Sequence, residues 1–137
     1  MTDLTEMGQR VLAELEEFWE ENVFAMLNTI IEPTGDIQEV VSLQSALMDL
    51  VERDYAVMGT EGFVPSEPER LGKQASLDLL TRLGEWFRFD REDLHWTLSK
   101  GDIKKERIPV IFSTVMGRNK AVEILTERGY QWWRPKS

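Results

Sequence analysis

The chain holds one histidine, His95, and no cysteine. Neither a His–Cys metal cage nor a nucleophile–base pair built on those residues can be assembled from it. His95 falls within Leu94-His95-Trp96-Thr97-Leu98, an alternating stretch, and reads as the half-exposed face of a strand rather than as a base. Asp90, Glu92 and Asp93 could offer hard oxygen ligands. A calcium loop needs regular ligand spacing and a closing carboxylate that this stretch lacks, so it reads as a charged turn. Gly117-Arg118-Asn119-Lys120 precedes an apolar-periodic segment, which suits an anion, yet it lacks the glycine spacing of a phosphate loop. Glu14, Glu16, Glu17, Glu20 and Glu21 follow a helix face and read as its solvated side. No catalytic residue, metal ligand or cofactor is assigned, and an enzyme is not expected.

Non-covalent binding is the chemistry that remains, and the charge distribution bears on it. The net charge of −9 over 137 residues disfavours nonspecific attraction to nucleic acid. Residues 1–69 hold two bases against sixteen acids, residues 70–99 balance, and residues 100–137 hold nine bases against four acids. Two readings stay open. Either the halves attract one another across an internal interface, or a basic C-terminal face meets a polyanion while the acidic half meets a protein.

The elements that must position these groups follow from periodicity. A hydrophobic share of 42%, with five Trp and six Phe, is enough for an ordinary core. Leu4, Met7, Val11, Leu15, Phe18, Val23, Met26, Leu27 and Ile30 recur at helical steps, predicting one helix from about Leu4 to Ile30, broken by Pro33-Thr34-Gly35. A short helical stretch with Ile37, Val40 and Val41 on one side follows, then a helix capped by Ser42 and ending near Arg53-Asp54. Tyr55 to Met58 reads as a strand, Gly59 to Gly62 as a turn, and Phe63-Val64 as a returning strand. Pro65-Ser66-Glu67-Pro68 is the linker candidate. A helix from roughly Ser76 to Trp86 precedes a hairpin between Phe87 and Leu98, turned at Asp90 to Asp93. Asn119 caps a last helix ending at Gly129, and Tyr130 to Trp133 is expected to be a strand. Ile108 to Met116 is two-sided: its β-branched residues favour a strand, while Pro109 suits a first helical turn.

A repeat tips that stretch towards helix. At a constant offset of 75, Ala46, Leu50, Glu52, Arg53 and Tyr55 are matched by Ala121, Leu125, Glu127, Arg128 and Tyr130. Upstream, Ile37, Val40 and Val41 fall against Phe112, Val115 and Met116 in apolar character. A short helix, a turn, a longer helix and a strand entered through an aromatic residue resembles the helix-turn-helix and first wing strand of the winged-helix superfamily. The phrase Ala-Leu-x-x-Leu-Val-x-Arg-x-Tyr at 46–55 carries the likeness. The resemblance implies an α+β, helix-rich chain of two winged-helix-like modules with small antiparallel sheets. Residues 1–65 would form an acidic helix plus module, and residues 70–137 a basic one.

In such modules the second helix reads base edges while bases reach phosphates. The first such helix exposes Gln44, Ser45, Met48, Asp49 and Glu52 with no base before Arg53, a poor reader. The second brings Arg118, Asn119 and Lys120 to its start, with Arg134 and Lys136 beyond, so these five are the candidate nucleic-acid-binding residues, for duplex DNA in a transcription-regulatory accessory factor. The alternative is an acidic protein–protein adaptor without DNA binding, using the N-terminal half to meet a protein partner or a second copy. Adjacent Trp132 and Trp133 must face opposite ways; one enters the core and the other, assigned as Trp133, is the candidate partner anchor. The N-terminus lacks a secretory pattern and no apolar run nears the about 20 residues of a membrane span. No membrane partner is expected, and a cytoplasmic location is.

Overall fold

The computed structural model describes residues 3–62, 68–101 and 106–134. The mixed α+β class holds. Helix α1 spans Glu6–Phe18, started by Thr5, whose hydroxyl accepts the Gly8 N–H at 3.0 Å. It stops at Trp19, which takes a positive φ of 67°. The predicted single helix to Ile30 is therefore corrected. Glu20–Asn22 forms strand β1, and α2 spans Val23–Ile30 from an Asn22 cap whose Oδ1 accepts the Ala25 N–H at 2.8 Å. Apolar periodicity runs unbroken across Trp19, and a three-residue polar strand leaves no pattern of its own. Its partner, 90 residues away, supplies the driving force.

Helix α3 is continuous over Ile37–Glu52 and is capped by Asp36, not Ser42. Glu39 reaches back to the Thr34 N–H and hydroxyl, fastening the Pro33–Gly35 bend to the helix. Gly35 (φ 91°) lies under the Phe89 ring, where any side chain would clash. Strand β2 covers Ala56–Glu61, so the turn expected at Gly59 is instead strand, and the return at Phe63–Val64 lies outside the described residues, as do Pro65, Ser66 and Glu67. Strand β3 is Glu69–Arg70, α4 is Lys73–Thr81, and a 3-10 turn follows at Leu83–Trp86. The hairpin forms as predicted, from β4 (Phe87–Asp90) and β5 (His95–Leu98).

Ile108–Ser113 is strand β6, the second correction. It lies inside a four-stranded antiparallel sheet of order β1-β6-β2-β3, with Glu21 opposite Ile111 on one side and Met58 opposite Ile111 on the other. Every residue of β6 is buried. A strand covered on both faces carries a continuous apolar run, which periodicity alone cannot tell from a buried helix. Burial between two neighbours decides in favour of the β-branched residues. Helix α5 then runs Val115–Arg128 from a Thr114 cap, four residues into which Asn119 sits as an ordinary helical position. Tyr130–Arg134 follows as turns, not the expected strand, and the β4–β5 hairpin stays a two-stranded sheet by itself.

The repeat splits at this point. Its helix exits match: Asp54 and Gly129, 75 apart, both take positive φ (64° and 99°) just beyond the ends of α3 and α5. Its upstream parts do not, because Ile37–Val41 is helix whereas Phe112 lies in β6 and the second helix begins only at Val115. The short first helix of the second winged-helix-like unit is thus absent among the described residues. Nor do residues 1–65 and 70–137 keep separate sheets. β6 of the second stretch sits between β1 and β2 of the first, and one core joins Leu12, Leu15, Leu27, Leu47, Met58 and Ile111.

Gly117 marks the tightest join. A Cβ there would overlap the Tyr55 carbonyl oxygen, where α5 leaves the sheet beside the entry to β2. Gly117→Ala should therefore lower unfolding free energy by about 1–3 kcal/mol, as overpacking does. Gly84→Ala, whose Cβ meets nothing within 4 Å, should change it by less than about 0.5 kcal/mol. Urea denaturation of the two variants checks this.

Candidate functional site

Three of the C-terminal bases, Arg118, Arg128 and Arg134, turn onto α1. The Arg118 guanidinium lies over the Trp19 ring, 3.7 Å from its centroid, and its Nε stands 3.6 Å from Glu16. Lys120 pairs with Glu123 one turn along its own helix at 3.4 Å. Arg134 pairs with Glu17 and stands 3.7 Å from Glu14. Arg128, unassigned from sequence, grips Glu6 through both terminal nitrogens at 2.8 and 3.1 Å and covers the Trp132 ring. That contact holds the Glu6 carboxyl below the usual range. Of the five candidate nucleic-acid residues, Asn119 alone is exposed without such a pairing, and Lys136 lies outside the described residues.

Trp133 is corrected as well. It is 3% exposed, and its indole N–H donates to Glu14 at 2.9 Å. Its carbonyl accepts from Arg10 at 2.8 Å, and the same Arg10 nitrogen reaches the Ile30 carbonyl at 2.9 Å. The burial of adjacent aromatics on opposite sides holds in part: Trp132 is half-buried, with Arg128 3.5 Å and Arg10 5.5 Å from its ring centroid. Sequence reasoning missed Arg10, because only the folded chain brings two carbonyls 103 residues apart to one guanidinium.

At the hairpin tip, Asp90, Asp93 and His95 can bring one ligand atom each within 4.8 Å of one another, and Glu92 is not among them. Asp90 already accepts the backbone N–H groups of Glu92 at 2.9 Å and Asp93 at 3.2 Å. Those two bonds lower its pKa and account for the turn.

A groove of about 550 Å³ runs between α1 and α3, with Met7, Ile31, Val41 and Ala46 giving it apolar walls and Ser42 and Ser45 keeping it open. It continues past Ser42 towards Asp36 and Glu39. Val41, in its wall, is 42% exposed, and Ile37, one helical turn earlier on α3, is 56% exposed. Glu6 on one rim is already held by Arg128 and Arg10, Arg10 is also committed to the two carbonyls, and the exposed Asp36 stands at the far end. The site can therefore bury apolar side chains, and the Asp36 carboxylate at its end can attract positive charge. Sequence gave no signal for it, since each lining residue reads as an ordinary helix position.

No family model, curated protein or solved structure matches the chain. No helix among the described residues is long and apolar enough to cross a membrane.

Arg10→Ala should cost about 2 kcal/mol of unfolding free energy, because it strands two partly buried carbonyls. Lys120→Ala, which breaks one half-exposed pair and uncovers part of a buried stem, should cost less than about 1 kcal/mol. Denaturation of both variants at equal pH and salt measures the difference.

Proposed function

We propose that this chain is a non-catalytic protein-binding module whose α1–α3 groove receives a positively charged amphipathic helix from a partner. One observation carries the reading: an open apolar groove with the solvent-exposed Val41 in its wall lies in the half of the chain with two bases against sixteen acids. Apolar walls supply affinity by removing side chains from water, and the acidic surroundings select a basic partner and speed its approach. A helix fits better than an extended segment, because the groove is bounded by two helices and offers side-chain pockets rather than a free strand edge. The duplex-DNA reading loses support by comparison, since Arg118, Lys120 and Arg134 each neutralise an acid of this same chain.

Fluorescence anisotropy with a labelled, basic, amphipathic helical peptide tests the proposal. The wild-type chain should bind it, and Ser45→Arg, which fills the groove and adds a like charge at an exposed position, should weaken binding at least about tenfold. An acidic peptide of the same apolar pattern should not bind. Equal binding by Ser45→Arg, or no binding of the basic peptide, would defeat the proposal. So would saturable binding of duplex DNA in place of the peptide, steeply weakened by salt.

A further inference from the structure

Glu14 projects from α1 into the interior and is only 1% exposed. Its Oε1 accepts the Trp133 indole N–H, which secures one carboxylate oxygen. Glu21, on β1, lies within interaction range of Glu14, and its Oε2 is buried with no hydrogen-bond partner. A buried, unpartnered carboxylate oxygen next to a second carboxylate is unfavourable twice over, through lost hydration and through like charge. A protonated Glu21 removes both faults, because its O–H can donate to Glu14. The other charged groups facing this pair are Glu17 on α1 and Arg134 in the C-terminal turn. From the sheet, the residue opposite Glu21 is the neutral Ile111. Three carboxyl groups thus surround one guanidinium, and a proton restores the balance.

We propose that Glu21 holds a proton in the folded chain and that this proton latches the C-terminal turn, through Glu14 and Trp133, onto α1. Burial, then the charge and hydrogen bonding of Glu14, push the Glu21 carboxyl up to about 8, with Arg134 opposing and Glu17 adding to the shift. When the proton leaves, two carboxylates meet where only the half-buried Glu21 keeps part of its hydration, and the contact that gives way is the one at the end of the chain. Residues 131–134 form no helix or strand and are held to α1 chiefly by Trp133, Arg134 and the Arg10 contact. The folded chain keeps the proton while the unfolded chain releases it near the ordinary value of 4.5. Stability from this group is therefore full below that value and falls as pH rises towards 8. The latch operates independently of what the α1–α3 groove binds.

The test is fluorine NMR of the full chain carrying 5-fluorotryptophan, with Glu21→Gln as the comparison. Gln keeps a donor for Glu14 and cannot titrate. The wild-type Trp133 resonance should shift with a single midpoint near 8, amide exchange of residues 131–134 should rise over the same range, and far-UV ellipticity should hold. Glu21→Gln should lose the shift entirely and show a urea midpoint above that of the wild type at neutral pH. A Trp133 resonance that stays fixed across that range, or an equal shift in Glu21→Gln, overturns the proposal. A loss of ellipticity together with the shift overturns it too, because the event would then be global unfolding rather than release of a latch.

Discussion

Strand β6 has both of its edges hydrogen-bonded and both of its faces covered, and the rest of the fold is arranged around that fact. All six of its residues pair with β2 on one side and three, Val110 to Phe112, pair with β1 on the other, so a segment near the end of the chain closes a sheet begun near its start. Val110 and Ile111 are fully buried, and each such side chain is worth about 1.5–3 kcal/mol in transfer from water. A pairing that spans about 90 residues carries a loop-closure cost that grows only slowly with length. Apolar burial at this strand is large enough to meet it. Glu20–Asn22 is a strand because β6 is there to pair with it, and α1 and α2 are separate helices for the same reason.

Electrostatics then set how the outer helices sit on that sheet. Glu6 with Arg128, Glu16 with Arg118, and Glu17 with Arg134 join α1 to α5 and the C-terminal turn. Exposed pairs of this kind contribute about 0–1 kcal/mol each, so they orient and do not hold. Stacking of Arg128 on Trp132 and Arg118 on Trp19 adds area to the charge. The charge asymmetry of the two halves is consumed largely within the molecule. Exposed acids of the N-terminal half outside these pairs, Asp36 at the end of the α1–α3 groove among them, leave that half acidic towards solvent.

Much of this was legible in the residues where local forces decide. The β4–β5 hairpin, the Pro33–Gly35 break, and the end of α5 at Gly129 follow from alternation and turn chemistry. The exits of α3 and α5 share a positive φ at Asp54 and Gly129, so the repeat reports a likeness at the helix exits. It failed upstream because Phe112, Val115 and Met116 match Ile37, Val40 and Val41 only in being apolar. Apolar character does not distinguish a doubly covered strand from a helix. Glu21 and Glu14 read as a solvated helix face, and nothing local says that β1 will fold one carboxyl under the other. The groove was illegible for a related reason: it is a property of two helices meeting, with Ser42 and Ser45 too small to fill the gap.

Native-state hydrogen exchange across a denaturant series bears most directly on the role of β6. If β6 joins both halves into one cooperative unit, the amides of Val110 and Phe112 should exchange only through global unfolding, with the same free energy as the core amides of α1 and α3. Opening of residues 108–113 at a distinctly lower free energy, while α1 to α3 stayed protected, would contradict it and would make the N-terminal half a unit that stands without this strand.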